Sequence, residues 1–286
     1  MPSRDATPSE RRNLAVRVSP AALRHVRRGH PWIYDQAIER SSHDGEPGDL
    51  AVVFDDKRAF AAIGLWDPTS PIRIRVLANR QTSVGPELWR TRIAEAVERR
   101  RPLVDDPDVT GLRWLHGEND RVPGLVVDGY GPTLVVKLYS PAWLPHLDDV
   151  VDALVDSLEP ERVILRLARS VPATPGRADG DVLLGDRPDA SVAFLENGHT
   201  MTADPVDGQK TGYFLDQRAN RRSFGDLAEG RDVLDVFCCH GGFSVHAAAG
   251  GARSVVSTDL SPHATDSARR HVAANAPGVD HRVTTG

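Results

Sequence analysis

The first part of the chain carries short apolar runs separated by Gly, Asp and Pro. These runs predict β-strands, because brief apolar segments bounded by turn residues are typical of small β domains. Ser19 followed by Pro20 predicts a helix start over residues 21–28, with Gly29 just past its end. The predicted strands cover residues 50–54, 59–65 and 72–77.

The second part mixes helical and strand patterns. Trp89, Ile93 and Val97 recur at a spacing of four and predict one face of a helix over residues 87–101. A second apolar stripe predicts a helix over residues 145–158. Two apolar runs flanking a Gly-Tyr-Gly-Pro turn predict a hairpin. The strands predicted here cover residues 125–128, 134–139, 162–167 and 181–184.

From about residue 196, strands and helices alternate. The predicted order is helix 218–228, strand 232–237, helix 243–249, strand 254–258, helix 262–275 and strand 280–284. This alternation predicts a parallel, doubly wound sheet that binds its ligand at the carboxyl ends of its strands. Sheets of this kind usually have about five or more strands. We therefore expect the sequence to be a fragment or a naturally shortened form.

These patterns predict an α/β protein with several domains, as expected for 286 residues. A partial Rossmann-like sheet follows a small β-rich domain and an α+β middle domain. The predicted divisions are a disordered tail at 1–13, then domains at 14–82, 83–195 and 196–286.

Charge and composition narrow the range of functions that the chain can have. The net charge of −5 argues against a uniformly basic nucleic-acid binder. Residues 1–40, however, hold eight arginines against four acids. The basic cluster lies beside Trp32 and Tyr34, a combination that suits RNA phosphates and bases. A solvated surface is the alternative for the charges, and core packing is the alternative for Trp32. The candidate RNA-binding residues are Arg24, Arg27, Arg28 and His30.

The apolar runs and the cysteine content predict the cellular compartment. No apolar run approaches the roughly 18 residues of a membrane span, and residues 1–13 have no apolar signal-peptide core. Two adjacent cysteines make no disulfide framework, which predicts a reducing cytoplasm. The oligomeric state is open, with a homodimer as one option.

A nucleoside site is predicted where the first two parallel strands end. Asp235 ends an apolar strand, a turn with Gly241 and Gly242 follows, and Asp259 ends the next strand 17 residues after Gly242. An acid at the end of the second strand is placed to accept hydrogen bonds from ribose hydroxyls. The glycines lack the spacing of a dinucleotide motif, and an acid in the first strand suits a positively charged ligand. These residues favour S-adenosylmethionine, with a dinucleotide-dependent oxidoreductase as the weaker alternative.

The adjacent thiols of Cys238 and Cys239 are interpreted as loop residues of this site. The start of the next helix could lower a thiol pKa and make it sensitive to oxidation. His240 could contact the ligand or face solvent. His116, Glu118 and Asp120 alternate, but a turn explains them better than a metal site, and we predict no metal.

Several longer motifs resemble one family. The chain from about Leu14 is similar to class I S-adenosylmethionine-dependent 23S rRNA cytosine-C5 methyltransferases with an N-terminal PUA-like domain. The motifs that carry the resemblance are QKTGYFLDQRANR (209–221), VLDVFCCHGGFSVHAAAGGA (233–252), RRGHPWIYDQAI (27–38) and LHGENDRVPGLVVDGYG (115–131).

The resemblance implies an RNA-docking PUA-like domain at 14–82 and a cofactor domain at 196–286. It places the methionine end of S-adenosylmethionine at the first motif and the ribose at Asp259. The resemblance also places Gln217 and Arg218, of the motif 209–221, against the cofactor pocket. The implied cofactor residues are Asp235, Gly241, Gly242, Asp259, Gln217 and Arg218.

Catalysis in that family implies residues that this sequence does not show. A thiolate adds to C6 of cytosine, C5 then takes the methyl group, and an Asp-Pro-Pro motif positions the base. No Asp-Pro-Pro occurs here. We therefore expect the nucleophile beyond Gly286, in an enzyme forming 5-methylcytosine in 23S rRNA. A non-catalytic RNA-binding protein is the alternative.

Overall fold

The structure, a computed structural model, describes residues 13–189 and 191–286. The predicted disordered tail therefore lies outside the described residues, apart from Asn13, which begins the first strand. The chain forms a β-rich unit, an α+β unit and a unit of alternating strands and helices, so the predicted α/β class is confirmed.

The β-rich unit is a six-stranded sheet with the order β2-β6-β5-β4-β1-β3. Strands β1 and β4 run parallel, and the other neighbours are antiparallel. The Ser19 hydroxyl caps the helix by accepting from the Ala22 N–H, as its position predicted. The elements are β1 (Asn13–Val18), α1 (Pro20–Arg27), β2 (Trp32–Tyr34), β3 (Ile38–Ser41), β4 (Leu50–Phe54), β5 (Phe60–Trp66) and β6 (Ile72–Ala78).

The α+β unit is a five-stranded sheet with the order β11-β10-β9-β8-β7, covered by helices. Its elements are α2 (Pro86–Arg99), α3 (Arg101–Val104), β7 (Gly111–His116), β8 (Leu125–Tyr130), β9 (Thr133–Leu138), α4 (Leu147–Leu158), β10 (Arg162–Leu167) and β11 (Val182–Leu184). The predicted hairpin is confirmed as β8 and β9. The helix predicted over 87–101 instead ends at Arg99, because Pro102 cannot donate the hydrogen bond that would continue it.

One apolar core joins these two units. Trp89 of α2 is buried, and its ring lies 5.1 Å from the ring of Trp143. Leu65 and Leu77 of the β-rich unit belong to the same cluster. Because apolar side chains from both units are buried together, the two sheets hold a fixed relative position.

The last unit begins with a hairpin that sequence patterns did not predict. The predicted domain boundary between residues 195 and 196 lies inside it. Its elements, with those that follow, are β12 (Val192–Glu196), β13 (His199–Ala203), α5 (Arg218–Asp226), β14 (Asp232–Val236), α6 (Gly242–Ala249), β15 (Ser254–Asp259), α7 (Pro262–Asn275) and β16 (Asp280–Thr285).

Strands β14, β15 and β16 run parallel, as the alternation predicted, and the structure places them next to each other in that order. Helix α6 packs on β15 through the buried side chains of Val245 and Val255. Phe194 and Met201 of the hairpin join this core, together with Tyr130 of β8. The hairpin therefore connects the α+β unit to the parallel sheet.

Over residues 13–189 and 191–286, no helix has the length and apolar character needed to cross a membrane. The same residues contain no group of three or more His, Cys, Asp or Glu side chains arranged to hold a metal ion.

Candidate functional site

The loop between β14 and α6 has an unusual backbone. Phe237, Cys239 and Gly241 have φ values of 62°, 50° and 73°, so alternate residues adopt the left-handed conformation. A Cβ atom on Gly241 would lie 2.7 Å from Cα of Ala268 in α7. Glycine is therefore required at 241 both for the left-handed turn and for the close approach of helix α7.

Asp235 lies at the end of β14 and holds the start of α6. Its Oδ2 accepts hydrogen bonds from the Ser244 backbone N–H at 3.2 Å and from the Ser244 hydroxyl at 2.6 Å. Burial raises the pKa of this carboxyl above its ordinary value, although the bonds from Ser244 oppose that shift. Both bonds go to Oδ2, which leaves Oδ1 able to accept a further donor.

Asp259 lies at the end of the neighbouring strand β15. Its Oδ2 accepts from the Cys239 N–H and its Oδ1 from the Ser261 N–H, each at 3.0 Å. The two acids therefore stand at the carboxyl ends of adjacent parallel strands and fix the loop between them. This is the arrangement that their spacing in the sequence predicted.

A cavity of about 160 Å³ lies between this loop and the segment that leads into α5. Gln217 lines it, in agreement with the predicted position against a pocket. Arg218 lines a different groove, next to Arg113 and His116 of the α+β unit. The cavity residues are Tyr213, Phe214, Gln217, Arg221, Phe237, Cys238, Cys239, His240, Gly242 and Phe243.

A buried ion pair beside the cavity was missed by the sequence reasoning. Nη1 of Arg221 lies 2.9 Å from each carboxylate oxygen of Glu196, and the Tyr213 hydroxyl donates to Oε1 of Glu196 at 3.2 Å. The Arg221 guanidinium stands 4.7 Å from the Tyr213 ring centre. Burial raises the Glu196 pKa, while Arg221 opposes that shift. Arg221 ends the motif 209–221, but no local signal marked Glu196.

Gly242 has a structural role that differs from the predicted one. The sequence suggested that the missing side chain lets a ligand approach. In the structure, a Cβ atom at 242 would lie 2.5 Å from Nε of Arg221 and 2.7 Å from the Tyr213 hydroxyl oxygen. The absent Cβ therefore makes room for this buried pair, while Gly242 itself also lines the cavity.

The motif 209–221 is also bound to the α+β unit. The Thr211 hydroxyl donates to Oδ2 of Asp128 at 2.6 Å, and Arg113 pairs with the same carboxylate at 2.7 Å. The Tyr213 N–H donates to the Tyr130 hydroxyl at 3.1 Å. A continuous set of buried polar contacts therefore joins strand β8 to the wall of the cavity.

The two thiols are not activated. Burial, with contributions from Asp235 and Asp259, raises the Cys238 pKa to about 12. Burial also raises the pKa of Cys239, whose Sγ lies 3.1 Å from Nδ1 of His240. The prediction that the helix start lowers a thiol pKa is therefore wrong, because loss of water outweighs the helix dipole here.

The predicted RNA-binding arginines lie on and just after helix α1. Arg24 and Arg28 are exposed, whereas Arg27 forms an ion pair with Asp55 at 2.7 Å. The backbone hydrogen bond from Ala59, together with this pair and the Lys57 N–H, lowers the Asp55 pKa. The structure therefore leaves two of these guanidinium groups free of ion pairs within the described chain.

Aromatic rings form a row next to these arginines. His30 and Trp32 have ring centres 6.0 Å apart, and Trp32 and Tyr34 have ring centres 6.4 Å apart. Trp32 is half-buried, and its indole N–H donates to Glu118 at 2.8 Å. Trp32 therefore links the β-rich unit to the α+β unit, which is closer to the packing alternative than to a free stacking surface.

His246 of α6 makes the fold sensitive to acid. Its Nδ1 donates to the Gly242 carbonyl at 2.7 Å, and its Nε2 accepts from the Asn197 amide at 2.9 Å. Burial lowers the His246 pKa to about 4. The neutral form is therefore favoured in the folded state. The associated stability is complete above about pH 6.5 and is lost as the pH falls toward 4.

We expect His246 alone to remove about 2 kcal/mol from the free energy of unfolding between about pH 7 and pH 5. Urea unfolding at both pH values measures this change. A His246→Gln variant should show a smaller difference between the two, whereas His25→Gln, at an exposed site, should match the unsubstituted chain. An unchanged pH dependence in His246→Gln would contradict the assignment.

Two family models match the chain. Residues 16–79 match a PUA-like domain, and residues 176–282 match an S-adenosylmethionine-dependent methyltransferase. The second match contains the parallel sheet, the cavity and the buried ion pair described above.

Curated relatives agree with these matches. A Deinococcus radiodurans protein named ribosomal RNA large subunit methyltransferase is 46% identical, with 92% of this chain and 66% of that protein covered. An Alteromonas mediterranea protein named ribosomal RNA large subunit methyltransferase I is 33% identical, with 94% and 68% covered. The chain thus spans about two thirds of the length of these relatives.

Solved structures show the same fold. A methyltransferase structure from Streptococcus mutans superposes with a TM-score of 0.82 at 21% identity, covering 95% of this chain and 70% of that one. A second methyltransferase, complexed with SAH, gives 0.83 at 21% identity, with 96% and 70% covered. The solved structures agree in fold, and the curated relatives with the two family models show that the chain belongs to the ribosomal RNA large subunit methyltransferase family, whose members depend on S-adenosylmethionine.

Proposed function

We propose that this chain binds S-adenosylmethionine and serves the methylation of large-subunit ribosomal RNA, with C5 of a cytosine in 23S rRNA as the target. One observation carries the cofactor assignment. Asp235 and Asp259 end adjacent parallel strands and fix a left-handed loop that forms one wall of a cavity. Doubly wound sheets bind nucleoside ligands at this edge.

The residues present suit the methionine end of this cofactor. The cavity of about 160 Å³ is smaller than the roughly 300 Å³ or more that whole ligands fill, so it takes only one end of the molecule. The Gln217 amide and the Arg221 guanidinium on its wall are donors suited to a carboxylate. When bound, S-adenosylmethionine supplies an activated methyl group on its sulfonium centre.

The remaining cofactor contacts are assigned at the strand ends. Asp259 accepts hydrogen bonds from the ribose hydroxyls, while it keeps the loop in place through the Cys239 N–H. Phe237 and Leu260 flank this edge and are 76% and 74% exposed, which offers apolar contacts to the adenine. Gly241 and Gly242 shape the turn. Arg218 lines the neighbouring groove and not the cavity, so a direct contact of Arg218 with the cofactor stays a prediction.

The β-rich unit is assigned to RNA. Arg24, Arg27, Arg28 and His30 present basic groups beside aromatic rings on one side of the PUA-like match. Phosphate contacts of this kind position an RNA without reading its sequence. The cytoplasmic location expected from the cysteines stays a prediction, in agreement with a ribosomal substrate.

We do not assign the nucleophile of the cytosine reaction to Cys238 or Cys239. Attack on C6 needs a thiolate near neutral pH. Burial raises the pKa of both thiols, and Cys238 reaches about 12. The two cysteines therefore act as part of the cofactor wall.

Calorimetric titration of the chain with S-adenosylhomocysteine and with NAD tests the cofactor. We expect S-adenosylhomocysteine to bind and NAD not to bind. An Asp259→Asn variant should bind S-adenosylhomocysteine about 10-fold or more weakly, because charged hydrogen bonds to the ribose are lost. Asp280→Asn, on the exposed start of β16, is the control and should bind normally. Binding of NAD alone would overturn the proposal in favour of an oxidoreductase.

The target needs a separate measurement. Ribosomal RNA incubated with S-adenosylmethionine and a longer form of the protein that includes the expected nucleophile should carry a new 5-methylcytosine, detected by bisulfite sequencing and mass spectrometry of nucleosides, whereas residues 1–286 alone should not form it. A methyl group on another atom or base would contradict the cytosine-C5 assignment and leave the family assignment intact. RNA binding without S-adenosylhomocysteine binding would favour the non-catalytic alternative.

A further inference from the structure

A second cavity lies between the β-rich unit and the α+β unit. It has a volume of about 540 Å³ and opens between β6, helix α2 and the turn after β7. We call it the basic cleft. Its lining includes Gly29, Pro31, Leu77, Asn79, Arg80, Thr91, Arg92, Glu95, Glu118 and Arg121.

Arg92 is a buried cation in the wall of the basic cleft. It is only 3% exposed, and within residues 13–189 and 191–286 no carboxylate forms an ion pair with it. Its Nη2 donates to the Leu77 carbonyl at 2.6 Å and its Nη1 to the Arg121 carbonyl, while its Nε is buried without a partner. A buried charge without a counter-ion is costly.

The neighbouring charges do not neutralise Arg92. Burial, with the nearby Arg121 and Arg80 acting in the same direction, lowers its pKa to about 10. Arg80 is exposed and forms no ion pair among the described residues. Glu95 pairs with Arg121, and Glu118 accepts from the neutral Trp32 indole and so keeps its negative charge. The cleft lining holds three arginines against two glutamates, and neither Arg80 nor Arg92 has an ion-pair partner among the described residues.

Polar contacts outside the cleft lining hold the β-rich unit against the α+β unit. Arg75 of β6 is buried and lies 3.2 Å from the Asp67 carboxylate, which also accepts from the Ser140 hydroxyl at 2.5 Å. The Gly48 carbonyl lies 2.9 Å from Nε2 of His146. These contacts cross between the two units. A preformed site of this kind binds its ligand without a large ordering cost.

We propose that the basic cleft binds a backbone phosphate of the RNA substrate. Arg80 and Arg121 at its rim contact the phosphate, and the buried Arg92 charge attracts it. This inference rests on the proposed RNA substrate. Gly29 and Pro31 line the cleft and directly follow the arginines of α1, so the RNA backbone runs from that helix into the cleft. The cleft is a positioning site, because a phosphate carries no base identity.

Two substitutions that change the charge of the basic cleft in opposite directions test the proposal. Arg80→Gln removes a cation, and Glu95→Gln removes an acid that competes with phosphate. Fluorescence anisotropy with a labelled 23S rRNA fragment should show weaker binding for Arg80→Gln, roughly 10-fold, and a salt dependence smaller by about one phosphate contact. Glu95→Gln should bind more tightly. Arg90→Gln, on α2 but outside the cleft lining, is the matched control and should bind like the unsubstituted chain.

The remaining outcomes contradict the proposal that the basic cleft binds an RNA phosphate. Equal affinities and equal salt dependence in all variants, with RNA binding by the unsubstituted chain, would overturn the cleft and leave the proposed function standing. Absence of RNA binding by the unsubstituted chain would overturn both. Inorganic phosphate supplies a further arm. Phosphate could raise the melting temperature of the unsubstituted chain more than that of Arg80→Gln. If the two proteins then bind RNA equally well, the cleft holds a small free anion instead of the RNA backbone.

Discussion

Replacing Glu196 with glutamine is expected to lower the free energy of unfolding by about 3–5 kcal/mol. The Arg221 side chain is only 7% exposed, and Glu196 is the ion-pair partner that the described residues give it. Removing one partner of a buried pair leaves the other charge in a medium that solvates it poorly. Urea unfolding at constant pH measures the loss, and the slope with denaturant should stay the same.

Two further variants separate charge from packing. Glu229→Gln changes an exposed acid of the same unit and should have little effect. Glu196→Leu combined with Arg221→Leu removes both charges and should recover much of the stability, since apolar replacements of a buried pair are often nearly neutral. The double variant should still lose affinity for S-adenosylhomocysteine, because Arg221 lines the cavity. A Glu196→Gln protein as stable as the original would show that the pair is not desolvated.

Replacing Gly242 with alanine is expected to weaken S-adenosylhomocysteine binding by more than about 10-fold and to destabilise the fold by about 1–3 kcal/mol. The new Cβ would meet Nε of Arg221 at 2.5 Å and the Tyr213 hydroxyl at 2.7 Å, so these side chains must move. Both belong to the wall of the cavity, and their displacement alters the site directly. Calorimetry and urea unfolding on the same preparation measure the two effects.

Gly278→Ala is the matched control for this substitution. Gly278 lies in the same unit, and a Cβ there would meet no atom within 4 Å. This variant should bind and unfold like the unsubstituted chain. If Gly242→Ala bound S-adenosylhomocysteine with normal affinity, the buried pair would have no influence on the cofactor site.

Local patterns predicted most of the parallel-sheet unit. The Pro262–Asn275 helix and the parallel alignment of β14, β15 and β16 agree with the sequence prediction, as does the Arg162–Leu167 strand in the α+β unit. The missed strands are β1, β2, β3 and β7 and the two strands of the hairpin, β12 and β13. The hairpin strands are five residues each, and their burial depends on a core contributed by α6 and β8 rather than on their own alternation.

The sequence by itself determined the position of the cofactor loop, because a strand, a turn and a helix that adjoin in the chain carry their own apolar periodicity. The sequence also identified Asp235, Asp259 and Gln217 as candidate cofactor-binding residues. Only the tertiary structure decided that Arg221 pairs with Glu196, 25 residues away, and that Gly242 makes room for Arg221 and Tyr213. Likewise, only folding buried Arg92 in the basic cleft with no ion-pair partner from residues 13–189 and 191–286. Charge and burial at such sites depend on which distant segments exclude water together, and no local pattern records that.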